Sequence, residues 1–328
     1  MRTFSRPAVV VSRCIEFDHC RWNGDLIPSD VVRQLKPHVD FVPVCPETDI
    51  GLGIPRKPLR IVRGSDGVRL VQPDSGRDLT DEMRDFGTRF INGLPSVDGA
   101  VVKGRSPTSA LKDAVMYTGA ERGAGKLGVG PGVFGGMIVE AFPDAALEDE
   151  GRLRNPRIKA HFLTKLFLLA GFRAVRSTNS LPALQQFQSQ HELLFKTYSR
   201  KQAAALAMIA ASSRPAAPGE ALDHYAGALH ALLARAPRCG AHADTLMESF
   251  ERVSARLTEA EAAYFKDTVQ KYRDAMLPLS VPLAVVRTWI VRFTDNYLSA
   301  QSYFQPYPED LVDLSLMTAH CDGKDYWH

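Results

Sequence analysis

The stretch FVPVCPE at residues 41–47 is a short apolar run that stops abruptly at a thiol, a proline and a carboxylate. Proline has no backbone N–H for a sheet ladder and biases the residue before it toward extended geometry, so a strand has to end at Pro46. We therefore interpret this stretch as a buried strand that brings Cys45 and Glu47 to the loop that follows it. The N-terminal half of the chain is organised around this strand end.

The first 150 residues alternate short β-branched runs with amphipathic segments and Gly or Pro breaks. This pattern is typical of an α/β fold, and we expect a parallel or mixed Rossmann-like sheet with helices on both faces. The predicted elements are strands at 8–12, 41–44 and 97–103, a hairpin of 59–63 with 68–71, and helices at 30–35, capped by Ser29, and 81–92, capped by Thr80.

Polar or sulfur-containing side chains follow three of these strands. Cys14 comes after the first strand, Cys45 and Glu47 after the second, and Ser106 and Ser109 after the third. If the strands are parallel neighbours, all of these side chains lie at the carboxyl edge of one sheet, where open α/β folds bind their ligands. The sequence therefore predicts one site at this edge.

A glycine-rich segment at residues 119–136 contains GAGKLG at 123–128, which matches the GxGxxG pattern of dinucleotide-binding loops. The segment lacks a clear strand–turn–helix frame and an isolated acidic residue about 20 positions later, so we favour a mobile glycine loop over the pocket. A Walker loop is excluded because Ala120 stands where its first glycine should be and Leu127 follows Lys126.

After residue 150 the strand signals stop and long helical periods begin, which predicts a second, all-α domain. We expect an α/β domain at 1–150 and the all-α domain at 151–328, and a length of 328 residues suits two domains. The tail beyond residue 316 is predicted to be disordered. The predicted helices cover about 156–173, 181–212, 220–236, 242–255, 259–275 and 281–302.

Composition argues against a membrane protein, because no apolar run approaches the roughly 18–20 residues that cross a bilayer. Hydrophobic residues make up 45% of the chain and charged residues 23%, as in globular proteins. The net charge of +3 comes from 40 basic and 37 acidic side chains and makes no obvious patch. Nucleic-acid binding is therefore permitted but not implied.

The five cysteines, in a chain without a recognisable export signal, argue against a disulfide framework and for a cytoplasmic protein with reduced thiols. Cys239 and Cys321 are interpreted as small hydrophobic residues. Cys14, Cys45 and Cys20 remain available as metal ligands. The histidines at positions 161, 191, 224 and 230 lack metal-ligand spacing and are interpreted as helix-surface or hydrogen-bonded core residues.

Several short motifs carry a resemblance to a known family. They are VSRC at 11–14, VCPE at 44–47 followed by IGLGIPR at 50–56, GRDLT at 76–80, and RSP at 105–107 before LKD at 111–113. Over residues 8–150 the chain resembles the thiouracil desulfidase (TudS-like) family. The remainder, through YLSAQSY at 297–303 and PYP at 306–308, looks like the helical domain of YbgA-type proteins.

The resemblance implies a 4Fe-4S cluster held by three cysteines, with one iron open to the substrate sulfur. By motif position, Cys14 and Cys45 would be cluster ligands, Glu47 the acid/base that activates water, and Ser106 its hydrogen-bonding partner. A capping role in the following turn is the alternative for Glu47. Ser12 is predicted to contact substrate; Arg56 either does so or pairs with backbone or an Asp.

At the third ligand position the family carries the cysteine of SPSCG, whereas this chain reads SPTSA at 106–110, with Ser109 in its place. A hydroxyl is a hard donor with a far higher pKa than a thiol, and it is a poor ligand for soft iron. Cys20, six residues after Cys14, is a candidate substitute ligand.

Two functions from different classes follow. The first is iron-sulfur-dependent, non-redox desulfidation of a thiolated pyrimidine or related small thio-compound, with release of sulfide. The alternative is a cluster-deficient relative that binds a small ligand without this catalysis and acts through its helical interaction domain. A nucleic-acid-linked role of the helical domain is a third option, and it rests only on the mildly basic charge.

Overall fold

The computed structural model of the chain describes residues 2–64, 67–211 and 218–312; Cys321 and the tail predicted to be disordered lie outside these ranges. Two compact units are present. The sheet unit contains Phe4–Ala170 and the segment from Tyr307, and the helical unit contains Gly171–Pro306 and the first three residues. Among the described residues, no helix combines the length and the apolar character that a bilayer span requires.

Among the described residues, the sheet unit has nine strands. They are β1 Ala8–Ser12, β2 Asp40–Val44, β3 Arg60–Gly64, β4 Gly67–Gln72, β5 Arg77–Asp78, β6 Gly99–Val102, β7 Ala114–Tyr117, β8 Lys126–Gly130 and β9 Ala146–Asp149. The helices of its sequence are α1 Asp30–Leu35, α2 Pro46–Asp49, α3 Thr80–Asn92, α4 Val133–Ala141 and α5 Pro156–Ser177, and the division between the units falls within α5.

Four strands form a fully parallel sheet in the order β2-β1-β6-β9. Ser12 is paired with Val44, and Val11 with Val101, so the three strands end at nearly the same level. The chain passes to β2 on one side of β1 and later to β6 on the other. The strand order therefore reverses at β1, and open α/β folds bind ligands at such a switch point.

Alternate residues of this sheet pack against helices on opposite faces, as the period of two in a strand requires. Val9 and Val11 lie in one buried cluster with side chains of α1 and α5, such as Leu35 and Leu166. Val10 lies in the other cluster, with side chains of α3 and α4 that include Met83 and Phe134. The predicted Rossmann-like sheet with helices on both faces is confirmed.

A second, mixed sheet has the order β5-β4-β3-β7-β8 and contains the predicted hairpin β3–β4. Residues 126–130 of the glycine-rich segment pair antiparallel with β7, so the predicted glycine loop over the pocket is wrong. Gly123 and Gly128 have φ of +92° and +142°, the left-handed region that favours glycine. These glycines allow the backbone of the β7–β8 hairpin to take this shape. The GxGxxG match is therefore part of a hairpin and does not form a dinucleotide-binding loop.

The two predicted helix caps have different outcomes. Ser29 caps α1, because its hydroxyl accepts the N–H of Val32 at 3.4 Å. Thr80 is not the cap of α3 but its first residue. The Thr80 hydroxyl accepts the N–H of Leu70 at 2.8 Å and donates to Asp78, which ties the helix to β4.

The helical unit confirms the predicted all-α region. Beyond α5 the helices are α6 Leu181–Tyr198, α7 Arg200–Ala211, α8 Pro218–Leu232, α9 Cys239–Val253, α10 Glu259–Arg273, α11 Ser280–Phe293 and α12 Asn296–Ala300. The single helix predicted at 181–212 is two helices, because Ser199 is extended. His191 is buried and bonds to Ser302 (Nδ1–Oγ 2.5 Å), which confirms a core histidine, and burial lowers the pKa of His191.

Candidate functional site

A cavity of about 310 Å³ opens at the carboxyl ends of β1, β2 and β6. Its lining includes every residue that the sequence placed in a site, and their roles stay predictions. They are Ser12, Cys14, Cys20, Cys45, Glu47, Arg56, Ser106 and Ser109. The strand-end argument therefore located the cavity, since these side chains come from sequence positions as far apart as 12 and 109.

Three thiols form one side of the site, which we call the thiol wall: Cys14, Cys20 and Cys45. All three are buried and none is in a disulfide. Cys14 and Cys45 follow β1 and β2 directly, and Cys20 comes from the loop after β1. A hydrogen bond with the Cys14 thiol raises the pKa of Cys20 to about 11. A hydrogen bond with Cys20, together with burial, raises the pKa of Cys45 further, so Cys20 interacts with both of its neighbours.

Three hydroxyls in the loop after β6 form the hydroxyl wall: Ser106, Thr108 and Ser109. The Ser106 Oγ accepts the backbone N–H groups of Thr108 at 3.3 Å and Ser109 at 3.2 Å. Because a hydroxyl has two acceptor positions, its hydrogen is left to donate to Thr108 Oγ1, 2.8 Å away. Thr108 in turn donates to Glu47 Oε1 at 2.7 Å. A directed chain of hydrogen bonds thus runs from Ser106 to Glu47.

Glu47 is held from its other side by Arg56. The Arg56 Nε donates to Glu47 Oε2 at 2.6 Å, and a second guanidinium N–H donates to the same oxygen. Arg56 also donates to the carbonyl of Cys20 at 3.0 Å and is only 4% exposed. Of the two roles predicted for Arg56, the structure has the pairing with backbone, and the acidic partner of Arg56 is Glu47 rather than an Asp. Its contact with substrate stays a prediction.

The Glu47 carboxylate has roughly four acceptor positions, and Arg56 and Thr108 occupy three of them. One position on Oε1 remains for a water or a substrate proton. The carboxylate is turned toward these side chains, and α2 has no side-chain cap, so the capping interpretation of Glu47 is wrong.

The hydroxyl wall rests on the first turn of α4. The N–H of Val133 donates to Pro107 O at 3.1 Å, and the N–H of Gly135 donates to Thr108 O at 2.8 Å. A Cβ on Gly135 would lie 2.1 Å from the carbonyl oxygen of Ala110, so only glycine allows this approach. Sequence reasoning missed this contact, although the glycine-rich run was the signal for it.

Ser12 has a structural contact within the same site. Its buried hydroxyl accepts the N–H of Lys103 at 2.9 Å and so ties the end of β1 to the start of the loop after β6.

The sequence did not predict a role for Thr108, which links the hydroxyl wall to Glu47. The signal was the position of Thr108 between Ser106 and Ser109. Its partner Glu47 is 61 residues away in sequence, and only the fold brings the two side chains together.

Most charged side chains around the cavity are cationic. Arg13 pairs with Asp49 at 2.7 Å, and Lys103 pairs with Glu150 at 2.8 Å. Glu47 is the acidic residue of the lining, against the six cations Arg13, Arg21, Arg56, Lys57, Lys103 and Arg105. Five of these cations pair with carboxylates, the exception among the residues that the structure describes being Arg105, so the excess of cations in the lining is largely compensated.

The resemblance implies an iron-sulfur cluster, and the three thiols of the cavity are the donors that could hold it. Within the described ranges, no three His, Cys, Asp or Glu side chains are arranged to hold a single metal ion. The three thiols instead border a cavity of about 310 Å³, as a group larger than one ion requires. Thiolates are the ligands of iron-sulfur clusters, so the residues present fit such a group in kind.

Comparisons with known proteins follow the same division of the chain. Residues 9–150 match the family model described as 2-thiouracil desulfurase, and residues 192–308 match a family described as a protein of unknown function, DUF1722. The uncharacterised protein YbbK of Bacillus subtilis (strain 168) is 25% identical over 138 residues, which cover 40% of this chain and 90% of YbbK.

Among solved structures, the 4Fe-4S-dependent thiouracil desulfidase TudS matches with a TM-score of 0.35 and 21% identity, over 45% of this chain and 94% of that one. The 2-thiouracil desulfurase match contains all side chains of the thiol wall and the hydroxyl wall.

Proposed function

We propose that this chain, whose residues 9–150 match the 2-thiouracil desulfurase family model, catalyses the non-redox removal of sulfur from a thiolated pyrimidine or a related small thio-compound. The observation that carries the proposal is Glu47. Its carboxylate is fixed by Arg56 and Thr108, keeps one acceptor position, and shares a cavity with three thiols.

The reaction exchanges sulfur for oxygen without electron transfer. A thiocarbonyl and one water give a carbonyl and hydrogen sulfide. The water oxygen bonds to the thiocarbonyl carbon while one of its protons passes to Glu47 Oε1. The carbon–sulfur bond then breaks, its electron pair stays on sulfur, and the departing sulfide takes both protons. A positioned carboxylate that moves a proton in this way typically contributes a factor of about 10²–10⁴ to the rate.

The neighbours of Glu47 keep its proton-accepting oxygen in place. Arg56 fixes Oε2 through two N–H groups that donate to that one oxygen. Thr108 holds Oε1, and Ser106 holds Thr108 in the orientation that donates to Glu47. In this proposal Ser106 therefore acts through Thr108. Ser12 and Arg56 remain the predicted substrate contacts at the edge of the cavity.

The proposal includes a 4Fe-4S cluster bound to the thiol wall, with Cys14 and Cys45 as two of its ligands. When bound, such a cluster supplies an open iron that attracts the substrate sulfur and makes it a better leaving group. The donor chemistry of the wall supports this part of the proposal. We place the reaction in the cytoplasm, where thiols stay reduced.

Ser109 favours a second candidate function. It stands where the family resemblance calls for a third cysteine, and a chain with fewer than three ligands would bind a small ligand in this cavity without desulfidation. The helical unit, which carries the DUF1722 match, would then act as an interaction domain.

The test is turnover of 2-thiouracil by protein that has been reconstituted anaerobically with iron and sulfide. We expect uracil and sulfide to appear in equal amounts, measured by chromatography and by a colorimetric sulfide assay. Protein that takes up no iron, binds 2-thiouracil in a calorimeter and forms no uracil would reject the enzyme and support the second function. Heat-denatured, reconstituted protein controls for sulfur release by free iron.

A further inference from the structure

We propose that Cys20 is the third thiolate ligand of the cluster in this chain, in place of the position that Ser109 occupies. This inference rests on the cluster in the proposed function and names the ligand set of that same site. All three ligands then come from the loops after β1 and β2, and the loop after β6 supplies none.

Cys20 lies in the same buried cluster as the other two thiols of the wall. It is 1% exposed, and it lines the same cavity as Cys14 and Cys45. The Cys45 Sγ also donates to the carbonyl of Cys20 at 3.7 Å. Three soft donors therefore meet at one side of the cavity without any contribution from the loop after β6.

The backbone around Cys20 is fixed rather than free to carry the thiol elsewhere. Arg56 donates a side-chain N–H to the Cys20 carbonyl at 3.0 Å, and the Arg56 backbone N–H donates to Trp22 O at 2.8 Å. A turn closes the same loop, with the N–H of Gly24 donating to Arg21 O at 2.9 Å. The guanidinium that orients Glu47 thus also positions the segment that presents Cys20.

Ser109 offers a hydroxyl oxygen, whereas the thiol wall offers sulfur donors. Its backbone N–H donates to Ser106 Oγ, and its hydroxyl lies 3.4 Å from Thr108 Oγ1. Oxygen in an alcohol is a hard donor that is protonated at neutral pH, whereas iron in a sulfide cluster prefers thiolates. The Ser109 hydroxyl therefore extends the chain of hydroxyls that leads to Glu47, and it leaves the third ligand position to Cys20.

The experiment compares five proteins after anaerobic reconstitution: wild type, Cys20→Ser, Ser109→Ala, Cys239→Ser and the double variant Cys20→Ser with Ser109→Cys. Cys239 is the matched control, because its thiol also donates to a backbone carbonyl, that of Tyr272 at 3.6 Å, but lies in the helical unit. The readouts are iron and acid-labile sulfide per chain, the visible absorbance, and the electron paramagnetic resonance of the reduced cluster.

We expect about four irons per chain in the wild type, Ser109→Ala and Cys239→Ser. We expect a loss of most of this iron in Cys20→Ser, and recovery when Ser109→Cys is added to it, because the added substitution returns a third thiol to the cavity. Wild-type iron content in Cys20→Ser overturns the inference, and so does a wild type that takes up no iron.

A measurement on the wild type alone covers the case in which Cys20→Ser does not fold. Alkylation followed by mass spectrometry should label Cys20 much less in the iron-loaded protein than after chelation, while labelling of Cys239 stays unchanged. Equal labelling of Cys20 in both states overturns the inference. Turnover of 2-thiouracil, measured on the same samples, reports on the proposed function separately, because a loaded cluster without uracil formation rejects only the enzyme.

Discussion

The thiol wall and the hydroxyl wall share one cavity but differ in chemistry and in support. The thiol wall offers soft donors and is attached to the ends of β1 and β2, inside the parallel sheet. The hydroxyl wall offers hard donors that lead to a carboxylate, and it rests on a helix through backbone contacts. In the proposed function the thiol wall binds sulfur and the hydroxyl wall positions the carboxylate of Glu47, so the two walls can be altered one at a time.

We expect the largest effect from removal of the proton acceptor Glu47, to which the hydroxyl wall donates. Glu47→Gln keeps the shape of the side chain but cannot take a proton from water, so turnover of 2-thiouracil should fall by about 10²–10⁴. Steady-state kinetics on protein with matched iron content measures the change. Iron content itself should stay at the wild-type level, and unchanged turnover would remove Glu47 from the mechanism.

The next effect tests the link between the hydroxyl wall and Glu47. Thr108→Val removes the hydroxyl that donates to Oε1, and losing a hydrogen bond to a charged group costs about 1.5–3 kcal/mol, or roughly 10–100-fold in kcat. Thr108→Ser keeps a hydroxyl and should remain within a few fold of wild type. If both variants lose activity equally, the methyl group rather than the hydroxyl matters.

A smaller effect tests the support of the hydroxyl wall. Gly135→Ala puts a methyl group against the carbonyl of Ala110, and the forced shift should lower the free energy of unfolding by about 1–3 kcal/mol. Gly136→Ala is the matched control on the same helix turn. A Cβ there meets Pro131 at an ordinary 3.5 Å, and alanine favours the helix by up to about 1 kcal/mol.

Urea denaturation measures both glycine variants, and iron content shows whether the thiol wall is affected. We expect Gly135→Ala to be the less stable of the two while retaining its iron. Equal stability of the two variants would mean that the approach of α4 to the loop after β6 is not tight.

The smallest effect concerns Ser109. Its hydroxyl is at the long distance of 3.4 Å from Thr108 and takes part in no closer side-chain contact among the described residues, so Ser109→Ala should change turnover by only about twofold. Progress curves for both proteins at one iron content are sufficient for this comparison. A loss of tenfold or more would place Ser109 within the reacting part of the site.

The sequence predicts the strand ends of the site because a parallel strand has a local signature. β1 coincides with the predicted strand 8–12, and β2 extends the predicted 41–44 by Asp40 alone. Parallel neighbours then have to bring their carboxyl ends together. The location of Cys14, Cys45 and Glu47 could therefore be derived before any coordinates.

What the sequence does not predict depends on contacts between distant segments. Thr108 meets Glu47, and Gly135 meets Ala110, because the fold brings loops together that no local pattern connects. The glycine-rich segment was misread for the same reason, since its pairing with β7 decides that it is a strand. The break at Ser199 likewise has no Pro or Gly to mark it.

Arg56 contacts both sides of this division, since one guanidinium donates to Glu47 and to the carbonyl of Cys20. A ligand bound by Cys20 therefore affects the position of the Glu47 carboxylate through Arg56, and a ligand bound by Glu47 affects Cys20 in the same way. Thermodynamic linkage makes such coupling reciprocal, with the same factor in each direction. We expect metal loading and substrate binding to be cooperative in this protein, so that each raises the affinity for the other, and we expect Arg56 to be the residue that couples them.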